Sequence, residues 1–389
     1  MPVLNRIAAF SEEMKGWRRH LHAHPELEFD CHNTAAFIAD RLKEFGVDEI
    51  HTGIATSGVV AIINGQADGP TIAIRADMDA LPIEEITGVD YASTIPGRMH
   101  ACGHDGHVTM ALGAAKYLAE TRNFAGRVAF FFQPAEEEGG GGEAMVKDGV
   151  MDRFNVSRVF GIHNAPNVPL GHFQTNSGAV MASVDTAWVT VTGKGGHGAK
   201  PHLCIDPVVA IVAMVSGLQT ILSRNLYALD EAVISVTQIH TGTASNIIPE
   251  QGTFCATIRA FDPEVRAMLK RRIHEIIEGT ASAYNVTAEI DYDWGYPATV
   301  NHPEQAEFAA KVAAEIAGEQ GVDANTPRQM GAEDFSYMLE ARPGAYLFLG
   351  IGENEGWHHA AYNFNDEASP YGASFFARLV ETAQPLTKG

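Results

Sequence analysis

Basic residues and cysteines are both scarce in this sequence. Lysine and arginine number 27 against 48 aspartates and glutamates, a formal charge of −21 at pH 7. A surface of that sign repels phosphate backbones and anionic lipid. Nucleic acid and a membrane surface are therefore excluded as partners, whereas a small anionic substrate gripped by a few arginines in a cleft is not. The four cysteines, Cys31, Cys102, Cys204 and Cys255, are widely spaced and give no disulfide framework, as expected in a reducing compartment. No stretch approaches the length of an apolar membrane span, and the opening MPVLNRIAAFSEEMKGWRRH reads as an amphipathic helix bearing acids and bases. These features predict a cytoplasmic protein without internal repeats or low-complexity segments.

What is present is the alternating grammar of an α/β protein. At 389 residues the chain is long enough for two domains. SGVVAIING, PTIAIRADMDAL, GRVAFFFQPAEE and VSRVFGIHNA read as strands buried on both faces, separated by helical patterns such as HVTMALGAAKYLAETR. Near residue 183 the pattern changes. SVDTAWVTVTG, EAVISVTQIH, GTFCATIRAF and VTAEIDYDW read as strands, with helices in DPVVAIVAMVSGLQTIL and DPEVRAMLKRRIHEIIEGTASAY, giving β-α-β-β-α-β. After residue 296 the α/β pattern resumes. The expected organisation is a large domain of residues 1–183 and 297–389, with a central, mostly parallel sheet flanked by helices, and an inserted ferredoxin-like domain of residues 184–296. The two crossings would act as a hinge.

Residues 98–107, RMHACGHDGH, concentrate three histidines, a cysteine and an aspartate. They could form a metal site, a redox thiol among histidines, or an ordinary polar helix start. Cys102 and His104 converge only if the segment is irregular, which Gly103 permits. Thiolate and imidazole both bind divalent transition metals, yet a lone C-x-H needs further ligands. Strand ends offer them. Asp77 and Asp79 follow TIAIR, Glu136, Glu137 and Glu138 follow VAFFFQP, His163 follows VFGI, and His358 follows AYLFLGIG. In open α/β sheets ligands collect at such ends, and like charges crowded together are costly unless cations neutralise them. A solvated acidic loop and satisfied polar histidines are the competing reading; the coincidence of four clusters favours a metal.

The runs RADMDALP, MHACGHDGH, FFFQPAEEEGGGGEAM in outline, GIHN, GKGGHGAKPH, SNIIPEQGTFCATIRAF, GAEDFSYM and HHAAYNFNDE resemble the hippurate hydrolases and indoleacetyl-amino-acid hydrolases. These form the amidohydrolase branch of the aminoacylase and carboxypeptidase-G superfamily of metallohydrolases, and the resemblance covers essentially the whole chain. It implies that Cys102, His104, Glu138, His163 and His358 hold two divalent ions, Zn²⁺ or Mn²⁺ first and Co²⁺ or Ni²⁺ next. Cys102 would take the bridging place of an aspartate in the superfamily's peptidases, and His359 is a rival to His358. Glu137 would be the general base that takes a proton from a metal-activated water. Asp79 would orient a ligand, Asp77 would be structural, and His100 and His107 would not be ligands.

In the inserted domain, His197 in the glycine-rich GKGGHG turn is implied to cross to the facing subunit and stabilise the tetrahedral oxyanion. A phosphate loop is discounted, because the glycine spacing does not fit one. Asn246 and Arg259 match the family's substrate-binding pair, Arg259 gripping a free carboxylate bidentately; an exposed strand arginine is the alternative. His202, Glu333 and Asp334 would be local supports, and Cys31, Cys204 and Cys255 packing residues. The expected activity is hydrolysis of the amide of small N-acyl amino acids, an N-aroylglycine such as hippurate foremost, by a homodimer or higher homo-oligomer whose small domain serves as lid and dimerisation surface. Dipeptidase and N-acetyl- or indoleacetyl-amino-acid hydrolase are rivals within the same chemistry. A non-catalytic acyl-amino-acid binder and a redox-regulated thiol protein are rivals of other classes.

Overall fold

The apolar runs form strands in the computed structural model, which describes residues 3–386. The chain divides into two compact units. One comprises the chain up to Val180, Val300–Pro327 and the chain from Asp334 onward, and the other comprises Met181–Thr299 and Arg328–Glu333. The expected boundaries at 183 and 296 thus shift by a few residues, and the second unit gains a short return segment. That return is fixed by local contacts, with Arg328 paired to Glu231 at 2.8 Å and its guanidinium 4.4 Å from the Phe261 ring. Such contacts leave no periodic signature in sequence.

The first unit is built on an eight-stranded mixed sheet, in spatial order Glu49–Ile54, Gly58–Asn64, Arg127–Gln133, Thr71–Asp77, Val156–Ala165, Gly344–Gly350, Phe173–Gln174 and Val322–Asp323. The four central members, from Arg127–Gln133 to Gly344–Gly350, run parallel. Every residue of Thr71–Asp77 is buried, the continuous apolar burial of a strand covered on both faces. Phe130, Phe131 and Phe132 are fully buried, each stabilising the fold by about 2–3 kcal/mol through removal from water. The helix His104–Thr121 is buried along nearly its whole length and packs against the helices Ser369–Ala383 and Ser11–Ala23. Its Ala111, Gly113, Ala114 and Ala115 keep that approach close, and a Cβ at Gly113 would press on Met14 and Ala373.

The second unit is a four-stranded antiparallel sheet in the order Ala232–Thr241, Gln251–Ala260, Ser183–Thr192, Thr287–Asp293. With the helices Pro207–Arg224 and Pro263–Tyr284 it has the β-α-β-β-α-β connection of a ferredoxin-like fold. Both helices begin at Asp-Pro. Asp206 accepts a bond from Val208 N, and Asp262 accepts bonds from Glu264 N and Val265 N, while the proline supplies a pre-set first turn. The core joins Val189, Ile211, Met214, Leu218, Phe254 and Ile273. Pro207–Arg224 corrects one expectation: by length and composition alone it is apolar enough to cross a membrane. Here its Ala210, Ile211, Met214, Leu218 and Ile221 stripe packs into this unit's core.

Candidate metal centre

The centre lies wholly in the first unit, where strand ends and loops deliver its side chains. Gly103, at φ 87°, turns the chain from Cys102 into the helix that starts at His104. A Cβ there would overlap Tyr362 Oη and Asn164 Nδ2, so only glycine fits. The Cys102 sulfur lies 3.3 Å from His163 Nε2. His104 Nδ1 bonds the Asp79 carbonyl at 2.9 Å, which points His104 Nε2 toward the carboxylates, 3.8 Å from Glu137 Oε1 and 3.9 Å from Glu136 Oε2. Asp79 Oδ2 accepts the Glu137 backbone N–H at 3.1 Å. One aspartate therefore steers both His104 and the glutamate loop. His358 sits at φ 63°, its N–H donating to Ala101 O at 2.9 Å, and its Nε2 is 3.2 Å from Glu137 Oε2.

The glutamate loop is held at both ends by Asp334. The Gln133 side chain, before the loop, donates to Asp334 at 2.8 Å, and Gly142 N, after it, donates at 2.7 Å. Arg75, itself buried, bonds Asp77 at 2.7 Å, Gln133 at 2.8 Å and Asp334 at 2.9 Å. This buried ionic platform beneath the loop was not legible beyond a local supporting role for Asp334. Gly141 is required within it, since a Cβ would overlap Pro134 O.

The three glutamates are placed differently from one another. Glu136 is 6% exposed and Glu137 turns its side chain into the cluster, whereas Glu138 is exposed and belongs to no group of converging donor atoms. The carboxylates that meet the histidines are thus those of Glu136 and Glu137. His359 is exposed and also stands outside the groups, as does His100, which is buried with both ring nitrogens lacking a protein partner. Asp77 bonds Arg75 and His107, and with His104 and His107 it forms a further group of donor atoms.

Two groups of donor atoms share the Cys102 sulfur: Cys102, His104 and His163 form one, and Cys102, Glu137 and His358 the other, with all atoms of each group within 4.8 Å of one another. Asp79 Oδ1, His104 Nε2 and Glu137 Oε1 are buried without a hydrogen-bond partner. Buried orphans of this kind are costly unless something satisfies them. Burial pushes the Cys102 thiol well above its ordinary pKa, and the Glu137 and Glu136 carboxylates push it further. His163 is driven well below the ordinary value by burial and by neighbouring His107, which keeps its lone pair free. At His104 burial opposes charge, but Asp77, Asp79 and Glu137 override it and raise the pKa to about 10. Divalent cations held between these buried carboxylates, imidazoles and the thiol would satisfy the orphaned atoms and let the sulfur ionise. The donor set fits a pair of divalent metal ions, with Cys102 common to the two groups that would hold them.

In the second unit, His197 lies in the two-residue strand Gly196–His197, opposite Ile247 of the strand Ile247–Ile248. Asn246 is next to it, its carbonyl accepting Gly198 N at 2.8 Å. Both residues are exposed. Arg259 is half-buried near the far end of the strand Gln251–Ala260, opposite Val184, with Nε on Thr257 Oγ1 at 3.2 Å. Eight residues of extended chain separate it from Gln251, roughly 26 Å. His197 and Asn246 are thus together, and Arg259 lies on a different strand. His202 is exposed, while Cys31 and Cys255 are buried free thiols and Cys204 is a half-buried one.

A mixed α/β sheet with a two-ion donor set at its strand ends defines a dinuclear metallohydrolase. Residues 73–382 match the model of peptidase family M20/M25/M40. The chain is 40% identical over 383 residues to the hippurate hydrolase of Campylobacter jejuni, covering 98% of this chain and 99% of that one. It is 39% identical over 373 residues to the N-acetylcysteine deacetylase of Bacillus subtilis, covering 96% and 97%. The crystal structure of the Bacillus subtilis YXEP protein, a dinuclear metal binding peptidase from the M20 family, superposes with a TM-score of 0.83 at 36% identity, covering 97% of this chain and 99% of that one. The chain belongs to peptidase family M20/M25/M40 and is an amide-bond hydrolase with sites for two metal ions.

Proposed function

We propose that this enzyme hydrolyses N-acyl amino acids to a carboxylic acid and a free amino acid, with N-benzoylglycine as the first substrate to try. The two donor groups sharing Cys102 are the observation that carries the reading, and the full-length relatives named for hippurate hydrolysis and N-acetylcysteine deacetylation support the substrate class. Zn²⁺ or Mn²⁺ are the favoured ions and Co²⁺ or Ni²⁺ the alternatives, since thiolate, imidazole and carboxylate together suit borderline metals.

The resemblance carried over from sequence put the base at Glu137 and the ligand at Glu138. The side-chain geometry favours moving both roles back by one residue. Glu137 is the ligand: its Oε2 is 3.2 Å from His358 Nε2 and its Oε1 is without a partner. Glu136 is the general base, buried beside His104. When bound, the ions acidify a water and polarise the amide carbonyl. Glu136 then takes the water's proton and passes it to the leaving amine. Cys102 would contribute to both ion sites, with His104 and His163 in one and Glu137 and His358 in the other, while Asp79 orients His104 and the glutamate loop.

His197 stabilises the oxyanion, Asn246 binds substrate beside it and Arg259 grips the free carboxylate. The family resemblance supports a site that draws these residues from two copies of the chain, hence a homodimer. Exposed Val209, Val212 and Ile239 on the small unit are apolar surface suited to such pairing. The unit would close as a lid over bound substrate. The cytoplasm is the proposed location. Release of glycine from N-benzoylglycine, by metal-stripped protein reloaded with each of the four ions, tests the reading. Metal-dependent release is expected, and silence with all four would remove hippurate from consideration.

A further inference from the structure

Asn164 follows His163, and none of the roles above uses it. It is fully buried, and its side-chain amide is saturated with partners. Nδ2 is 2.5 Å from the Cys102 carbonyl and 3.0 Å from His107 Nε2; Oδ1 accepts the Tyr362 hydroxyl at 2.8 Å and the Trp357 indole N–H at 3.1 Å. Its backbone N–H also donates to His107 Nε2 at 3.0 Å, and its carbonyl accepts His163 Nδ1 at 2.8 Å. One residue therefore joins the Cys102 turn, the helix that starts at His104, the His163 strand and the loop that carries His358.

These bonds assign the imidazole protons. His163 carries its proton on Nδ1, which leaves Nε2 facing the Cys102 sulfur. His107 accepts at Nε2, so its Nδ1 proton goes to Asp77 Oδ1, 2.5 Å away. The second assignment matters because Asp77, His104 and His107 form another group of donor atoms close enough to hold an ion. An ion there would draw His104 away from Cys102 and His163.

We propose that Asn164 is the positioning residue of the metal centre: it holds Cys102, His163 and the His358 loop in register, and by occupying His107 Nε2 it disfavours the competing group at Asp77. The proposal rests on the two-ion reading of the Cys102 site. Partners standing behind metal ligands in this way govern affinity 10- to 100-fold in other metalloproteins.

The test is titration of metal-stripped full-length protein with Co²⁺ against a chromophoric chelator, following thiolate-to-cobalt absorption. Wild type should bind two ions and show the thiolate band. Asn164→Ala should lose roughly 10- to 100-fold in affinity and show less thiolate absorption per bound ion, as cobalt moves toward Asp77 and His107. Trp357→Phe keeps a ring beside His163, where the indole now stands 5.1 Å from the imidazole, and removes only the N–H bond to Asn164. It should weaken the His358-side ion about tenfold and leave the other ion unchanged. A merely structural role would lower the melting temperature and preserve the ratio of the two affinities. Should Asn164→Ala fail to fold, Trp357→Phe alone decides, and unchanged affinities there overturn the proposal. A wild type without thiolate absorption would instead overturn the two-ion reading itself.

Discussion

The Cys102 sulfur stands 3.3 Å from His163 Nε2 although 61 positions separate the two residues in sequence. The same sulfur also belongs to the Glu137 and His358 group, so its removal should disturb both ions. Cys102→Ala is expected to leave less than one tightly bound ion per chain by elemental analysis. Two ions retained at wild-type affinity would show that the sulfur bridges nothing.

Asp334 anchors the loop that carries the glutamates, through Gln133 and Gly142, and is the buried partner of Arg75. Asp334→Ala leaves Arg75 under-compensated in the interior, a type of change that costs about 3–5 kcal/mol. Urea unfolding of the metal-free protein should show a midpoint lowered accordingly; a midpoint within error of wild type would mean that water or other partners replace the bond.

His22 is buried between Asp105, at 2.8 Å, and Glu85, at 3.3 Å. Burial opposes its charge, but the bonds to Asp105 and Glu85 prevail and raise its pKa from 6.5 to about 9. Between those values the folded chain binds more protons at this site than the unfolded chain. The stabilisation is thus complete below the unfolded value and is lost as pH rises through the folded one. Its size is on the order of 3 kcal/mol. Thermal unfolding of metal-free protein between pH 6 and 10 should fall more steeply in wild type than in His22→Gln, and parallel curves would discard the assignment.

His197 lies in the short strand Gly196–His197 and Arg259 near the end of Gln251–Ala260, and the proposed two-copy site is testable. His197→Ala and Glu136→Gln should each be inactive alone. Mixed under conditions of demonstrated subunit exchange, they should recover up to about a quarter of wild-type turnover, because random pairing gives half heterodimers with one intact site each. Absence of recovery would confine His197 to its own chain.

Much of this was legible in the sequence for physical reasons. Double-sided burial makes Thr71–Asp77 and Arg127–Gln133 continuous apolar runs, and the Asp-Pro caps announce the two helices of the small unit. Cys102 and His104 stand out as donors at an irregular helix start, and His163 and His358 as donors at or after strand ends. The glutamates do not resolve, because three in succession leave the frame undetermined by one residue and only the loop's path decides which turn inward. Arg75 and Asn164 are equally silent and Asp334 signals no more than a local support, since a charged or amide side chain looks exposed until its partners arrive from distant segments. The Arg328–Glu333 return has neither periodicity nor caps.

The central claim, that Glu136 moves the proton while Glu137 holds metal, is tested most directly by measuring bound metal and hydrolytic turnover together in Glu136→Gln, Glu137→Gln and Glu138→Gln. Glu136→Gln is predicted to keep two ions and lose about 10²- to 10⁴-fold in turnover. Glu137→Gln should lose one ion, and Glu138→Gln should change neither quantity. An active, metal-poor Glu138→Gln set against a fully loaded but inactive Glu137→Gln would contradict the account and return the base and the ligand to Glu137 and Glu138.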